Sequence, residues 1–129
     1  MLMLICLFGA MTFAGEGDEK SEAHQSIPAA QFKVQMAKEE GILLDLRTPA
    51  EYNDGFVKGA HLMDYYNEGF KRDLGTLDKE KTYYIYCRSG GRSGKTLKLM
   101  KEMGFKKVYD MSDGFMGWLN NQFPFDIPK

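Results

Sequence analysis

The feature that most limits the fold is the run Thr82-Tyr83-Tyr84-Ile85-Tyr86, followed at once by Cys87-Arg88-Ser89-Gly90-Gly91-Arg92-Ser93-Gly94. Aromatic and β-branched residues favour a strand, and the paired glycines mark a tight loop. From Ser93 onward, Leu97, Met100 and Met103 return on one face at helical spacing. A strand therefore ends at a cysteine, and the chain turns directly into a helix. Backbone N–H groups and arginines in such a turn favour thiolate over thiol, and thiolate is the reactive form.

The rest of the chain repeats the alternation. Ser26 is the expected cap of a helix over residues 28–39, with Pro28 in its first turn and Ala29, Phe32 and Met36 on one face. Gly41 stops it, and Ile42-Leu43-Leu44-Asp45-Leu46 reads as a buried parallel strand. Thr48 caps a short helix with Pro49 at its first position, closed by Asn53-Asp54-Gly55. Residues 59–63 suit an edge strand, 67–74 a helical turn or two, and 79–81 a solvated loop. Gly104 ends the helix that starts at Ser93, with Phe105 packing behind it. Residues 107–111 form another strand and 114–121 a last helix. The class is α/β with a mainly parallel sheet.

At 129 residues the chain has room for one domain with a core of its own. Seventeen basic residues against 18 acidic ones give no field suited to nucleic acid, and no basic stripe is interleaved with aromatics. Residues 1–14 are almost wholly apolar and end Met11-Thr12-Phe13-Ala14, with small residues where a signal peptidase cuts. No Lys or Arg precedes the run, which falls short of the about 20 residues a membrane span needs. The expectation is export to the periplasm or beyond, with no lasting membrane association after cleavage. Residues 15–25 are then a polar, disordered leader and 26–129 the domain. With the leader segment removed, Cys87 is the one cysteine left of two, so no internal disulfide is possible.

Sites in such folds form at the carboxyl ends of strands, and a helix N-terminus there holds anions. Gly90 and Gly91 let the amides of residues 88–93 converge into a nest. Arg88 and Arg92 add planar donors suited to an oxyanion. The pocket pairs a nucleophilic sulfur with an anion site. No His, Cys or carboxylate cluster suggests a metal, and His24 and His61 lie in unrelated contexts.

In these features the chain resembles a single-domain rhodanese, a thiosulfate sulfurtransferase-type protein. The matching segments are residues 44–52, Lys58-Gly59-Ala60-His61, residues 86–93, Gly104-Phe105 through Val108-Tyr109, and Asp113-Gly114 through Trp118. The resemblance spans roughly residues 26–122, and five motifs in one order make it specific. It departs at Gly55-Phe56-Val57, where the family often has Gly-His-Ile. It implies a three-layer sandwich with a central sheet of about five strands flanked by helices. It also implies that Cys87 takes the outer sulfur of a small anionic donor such as thiosulfate, forms a persulfide, and passes the sulfur to a thiol or cyanide. Arg88, Ser89, Gly90, Gly91, Arg92 and Ser93 would bind the substrate and stabilise the persulfide, with no cofactor and no metal. A monomer is the default expectation for a domain with one compact core.

Two other readings stand beside this one. A non-catalytic binding module or persulfide carrier would keep the fold and use the pocket passively. A cysteine phosphatase or arsenate reductase would use the same anion pocket, but phosphatases place five residues between Cys and Arg. Here four intervene, and the loop Cys87–Arg92 is six residues long. Asp45 and Arg47 flank a strand end. They form either an ion pair that pins the next loop, or place Arg47 at the pocket mouth, where it joins the substrate-binding set. Glu51 is expected to partner Arg47 or a backbone amide. His61 reads as a polar strand-end residue, Trp118 as a core or rim aromatic, and the tyrosines of residues 83–86 as strand packing with one face buried.

Overall fold

The computed structural model describes residues 23–129. The apolar segment 1–14 and the leader through residue 22 lie outside the described residues. Five strands, β1 (His24–Ile27), β2 (Ile42–Asp45), β3 (His61–Leu62), β4 (Thr82–Tyr86) and β5 (Lys107–Met111), form one sheet in the order β1-β5-β4-β2-β3. Every pairing is parallel. The helices are α1 (Ala29–Lys38), α2 (Pro49–Asn53), α3 (Phe70–Gly75), α4 (Gly91–Glu102) and α5 (Gly114–Asn120).

β4 is buried on both faces, which corrects the expectation of one. Tyr84 and Tyr86 pack with Ala29 and Phe32 of α1 and Phe115 and Trp118 of α5. Tyr83 and Ile85 point the other way, to Phe70 and Leu74 of α3 and Met100 of α4. Successive strand residues alternate between faces, so helices on both sides explain the unbroken apolar run. Each tyrosine hydroxyl still finds an acceptor. Tyr83 donates to the Asp78 carbonyl at 2.7 Å, Tyr84 to the Glu39 carbonyl at 2.6 Å and Tyr86 to Asp45 Oδ2 at 2.6 Å. The result is the three-layer α/β sandwich that the resemblance implied.

Two local readings change. His24 and Gln25, assigned to the leader, belong to β1, which pairs with β5. Ser26 is therefore a strand residue, and its hydroxyl donates to Asp110 Oδ2 at 2.9 Å rather than capping α1. The α1 cap comes from far along the chain, where Asp113 Oδ1 accepts the Ala29 N–H at 2.9 Å. α4 begins two residues before Ser93, so its first turn is made from the cysteine loop itself.

Candidate active site

β4 lies between β2 and β5 and ends one residue before Cys87, so the loop leaves the middle of the sheet at its carboxyl edge. Two of its carbonyls turn toward α5. The Cys87 carbonyl accepts from Phe115 N at 2.8 Å, and the Arg88 carbonyl from Met116 N at 3.0 Å. With the carbonyls held on that side, the loop N–H groups face the sulfur. Gly90 N donates to Cys87 Sγ at 3.2 Å and Ser93 N at 3.4 Å, and the Ser93 hydroxyl lies 3.4 Å away.

Gly90 makes this curl possible. Its φ is +101°, and a Cβ there would lie 2.1 Å from the Ser112 carbonyl oxygen. Gly114 locks the same junction from the other side, with φ +63° and a Cβ position 2.3 Å from the Arg88 oxygen. Gly91, expected to share the curl, does not. It is the first residue of α4, and a Cβ on it would meet nothing within 4 Å.

Cys87 is 1% exposed. Burial pushes its thiol up, but the Ser93 hydroxyl and the N–H groups of Ser93, Gly90 and Ser89 outweigh burial and hold it below the ordinary value. The donors that favour thiolate are thus the loop amides and one hydroxyl.

The two loop arginines are not equivalent. Arg92 is committed to Glu51, Nη1 to Oε1 at 2.8 Å and Nη2 to Oε2 at 3.0 Å. Arg88 is exposed, and its side chain makes no ion pair or hydrogen bond among the described residues. Arg88 is therefore the cation of the loop left free to meet an incoming anion. Ser89 is exposed beside it, and Ser93 is fully buried under the sulfur.

Glu51 performs two tasks. It completes a capping box with Thr48 at the start of α2, and it ties that helix to the cysteine loop through Arg92. The pairing with Arg92, against the effect of burial, and the Thr48 N–H bond pull Glu51 from 4.5 down to about 2. Because the folded value is depressed, the stabilisation is present above 4.5 and is lost as pH falls through about 2. Screened by solvent at this partly exposed pair, it amounts to about 1 kcal/mol at neutral pH. In urea titrations, Glu51→Gln is expected to lower stability at neutral pH, and its gap from the unsubstituted chain should close across that acid window. A gap that stays constant would show that the pair contributes nothing.

Arg47, placed by sequence among the substrate-binding residues, is held inside the fold instead. It is 3% exposed. Nε and Nη2 donate to Asp45, the shortest contact being 2.7 Å, and Nη2 also donates to the Gly55 carbonyl at 2.6 Å. Its guanidinium lies 4.2 Å from the Phe115 ring centroid. The ion-pair alternative describes this geometry, and Glu51 partners Arg92 rather than Arg47. His61 is an exposed strand-end residue and Trp118 is buried in the core. Sequence alone gave no side-chain role to Asp110 or Asp113, which hold Ser26 and the Ala29 N–H through contacts spanning 84 residues.

Fold and site together define an α/β protein that presents one cysteine in a cradle of backbone N–H groups at the edge of a parallel sheet. The model of the rhodanese-like domain matches residues 28–121, and the chain belongs to that family. It is 27% identical over 107 residues to the thiosulfate sulfurtransferase GlpE of Glaesserella parasuis, covering 82% of this chain and 96% of that protein. It is 28% identical over 91 residues to a sulfurtransferase of Allochromatium vinosum, covering 70% and 83%. A crystal structure of a rhodanese-related protein from Thermoplasma volcanium shares the fold, with TM-score 0.70 at 22% identity over 81% of this chain and 99% of that one.

Proposed function

We propose that this chain is a sulfurtransferase in which Cys87 carries the sulfur. The observation that carries the reading is the convergence of Gly90 N, Ser93 N and the Ser93 hydroxyl on Cys87 Sγ. Those donors hold a thiolate ready to attack the outer sulfur of a donor such as thiosulfate. The S–S bond of the donor breaks, sulfite leaves with its electron pair, and the same donors then stabilise the persulfide anion. A thiol or cyanide attacks the outer sulfur in the second displacement, returning Cys87 as thiolate. Arg88, with no side-chain partner among the described residues, would meet the sulfonate end of the donor.

Phosphate chemistry fits less well. A phosphoryl group needs the loop arginine's fork, and Arg92 has given its fork to Glu51. The loop is also one residue short of the phosphatase length. The near-complete burial of Cys87 favours a second reading, a persulfide carrier, because a sheltered persulfide is slow to discharge. Steady-state formation of thiocyanate from thiosulfate and cyanide decides between them. Sustained turnover that Cys87→Ser abolishes supports the enzyme. A single stoichiometric loading with negligible release supports the carrier. We further propose export to the periplasm or beyond on the strength of residues 1–14, and N-terminal sequencing of protein from the native host tests this directly.

A further inference from the structure

Two exposed apolar side chains flank the cysteine loop, and the chemistry described so far uses neither. Tyr66, 67% exposed, stands on the loop that follows β3, and Met116, 46% exposed, stands in the first turn of α5. In the sheet order β1-β5-β4-β2-β3, β4 lies between the strands that lead to them, so they are carried on opposite sides of the cysteine loop. Each is joined to that loop. The Arg92 guanidinium lies 5.5 Å from the Tyr66 ring centroid, and the Met116 N–H donates to the Arg88 carbonyl at 3.0 Å.

Single exposed apolar residues are ordinary on a protein surface. Tyr66 differs because it is held in place. Its N–H donates to Asp64 Oδ1 at 2.9 Å, Tyr65 meets its ring edge-on at 5.4 Å, and Tyr65 packs in turn against Phe70 at 5.3 Å. The guanidinium beside it is fixed as well, because both Nη atoms are bonded to Glu51. The Tyr66 hydroxyl makes no hydrogen bond among the described residues, so the ring is what the site displays. A ring that is fixed yet open to solvent loses little conformational entropy when a ligand covers it.

We propose that Tyr66, with Met116 opposite, selects the sulfur acceptor, favouring a small organic thiol with a flat apolar body next to its sulfur. The inference deepens the sulfur-transfer reading and rests on it. Cys87 is buried, so an acceptor reaches its outer sulfur from the mouth, and the body of a thiol comes to lie between Tyr66 and Met116. The acceptor thiolate bonds to the outer sulfur, the bond from Cys87 Sγ to that sulfur breaks, and its electron pair stays on Cys87 as thiolate. The acceptor leaves as its own persulfide, and no further oxidant or reductant is needed. A flat apolar body packs well against both an aromatic ring and a thioether. Cyanide has no body to reach either side chain and gains nothing from them. Two side chains suffice for a small thiol and fall far short of the about 800 Å² per partner of a standard protein interface.

The test loads the reduced full chain with thiosulfate, removes the excess, and follows discharge of the Cys87 persulfide by intact mass with cyanide, 2-mercaptoethanol or benzyl mercaptan. The readout is the ratio of the second-order rate constant for benzyl mercaptan to that for cyanide. Tyr66→Ala is expected to lower this ratio about three- to tenfold, and Met116→Ala about two- to threefold. Tyr66→Phe keeps the ring and should hold the ratio within about twofold. The corresponding ratio for 2-mercaptoethanol, whose body is small and polar, should move less than that for benzyl mercaptan in both alanine variants. If Tyr66 only braced Arg92, its loss would slow every acceptor alike and leave the ratio unchanged, which overturns the proposal. A loss in Tyr66→Phe as large as that in Tyr66→Ala overturns it too. A chain that never loads sulfur defeats the sulfur-transfer reading and the proposal with it, whereas one that loads and discharges with unaltered ratios defeats the proposal alone.

Discussion

Replacing Arg47 by Leu is expected to cost about 3–5 kcal/mol of folding stability, a fall in Tm on the order of 15 °C for a domain of this size. The substitution leaves Asp45 fully buried with its main partner gone. What remains is the Arg47 backbone N–H at 2.9 Å and the Tyr86 hydroxyl at 2.6 Å. Those bonds hold a carboxylate less well than a guanidinium does, and removing one member of a buried pair costs more than the pair contributes. The Gly55 carbonyl also loses its donor at 2.6 Å. The double variant Asp45→Leu/Arg47→Leu should recover part of the loss, since no uncompensated charge stays behind. Urea denaturation of the three chains measures this. If Arg47→Leu folds with normal stability and instead weakens donor binding, Arg47 returns to the substrate-binding set.

Gly90→Ala is expected to cost roughly 3 kcal/mol or more and to remove sulfur loading. An alanine at φ +101° is strained, and its Cβ would lie 2.1 Å from the Ser112 carbonyl oxygen, which belongs to rigid backbone. Relief requires the loop to move, and the loop carries the Gly90 N–H that reaches Sγ at 3.2 Å. Gly91→Ala is the control one residue away. Its Cβ would occupy open space in the first turn of α4, so stability should rise by up to about 1 kcal/mol with loading retained. Comparable damage from both substitutions would mean that the loop needs flexibility at both glycines, not one fixed left-handed residue.

The strand-loop-helix at residues 82–102 was legible because composition and spacing act locally there. Aromatic and β-branched residues, a glycine pair and a helical stripe follow one another without a gap. β1 was not legible. It is four residues long, and three of its four, His24, Gln25 and Ser26, are polar and adjoin a charged leader. Its place is set by pairing with β5, more than 80 residues later. Adjacent glycines look alike in sequence, and only the folded backbone, left-handed at Gly90 and crowded there by Ser112, separates Gly90 from Gly91. Charge partners were misassigned for the same reason. Glu51 was expected to partner Arg47 or a backbone amide; it does accept from the nearby Thr48 N–H, but its pairing with Arg92 depends on where α2 lands relative to the cysteine loop. Asp110 reads as one more strand residue until β1 and α4 close around it.

Sulfur transfer by this chain requires a Cys87 sulfur kept ionised by loop amides and able to accept a second sulfur. Intact mass of the reduced, folded chain after incubation with thiosulfate tests it most directly. The predicted result is one added sulfur atom located on Cys87, absent in Cys87→Ser and removed by cyanide. A folded, reduced chain that gains no sulfur while its thiol titrates at the ordinary cysteine value would contradict it.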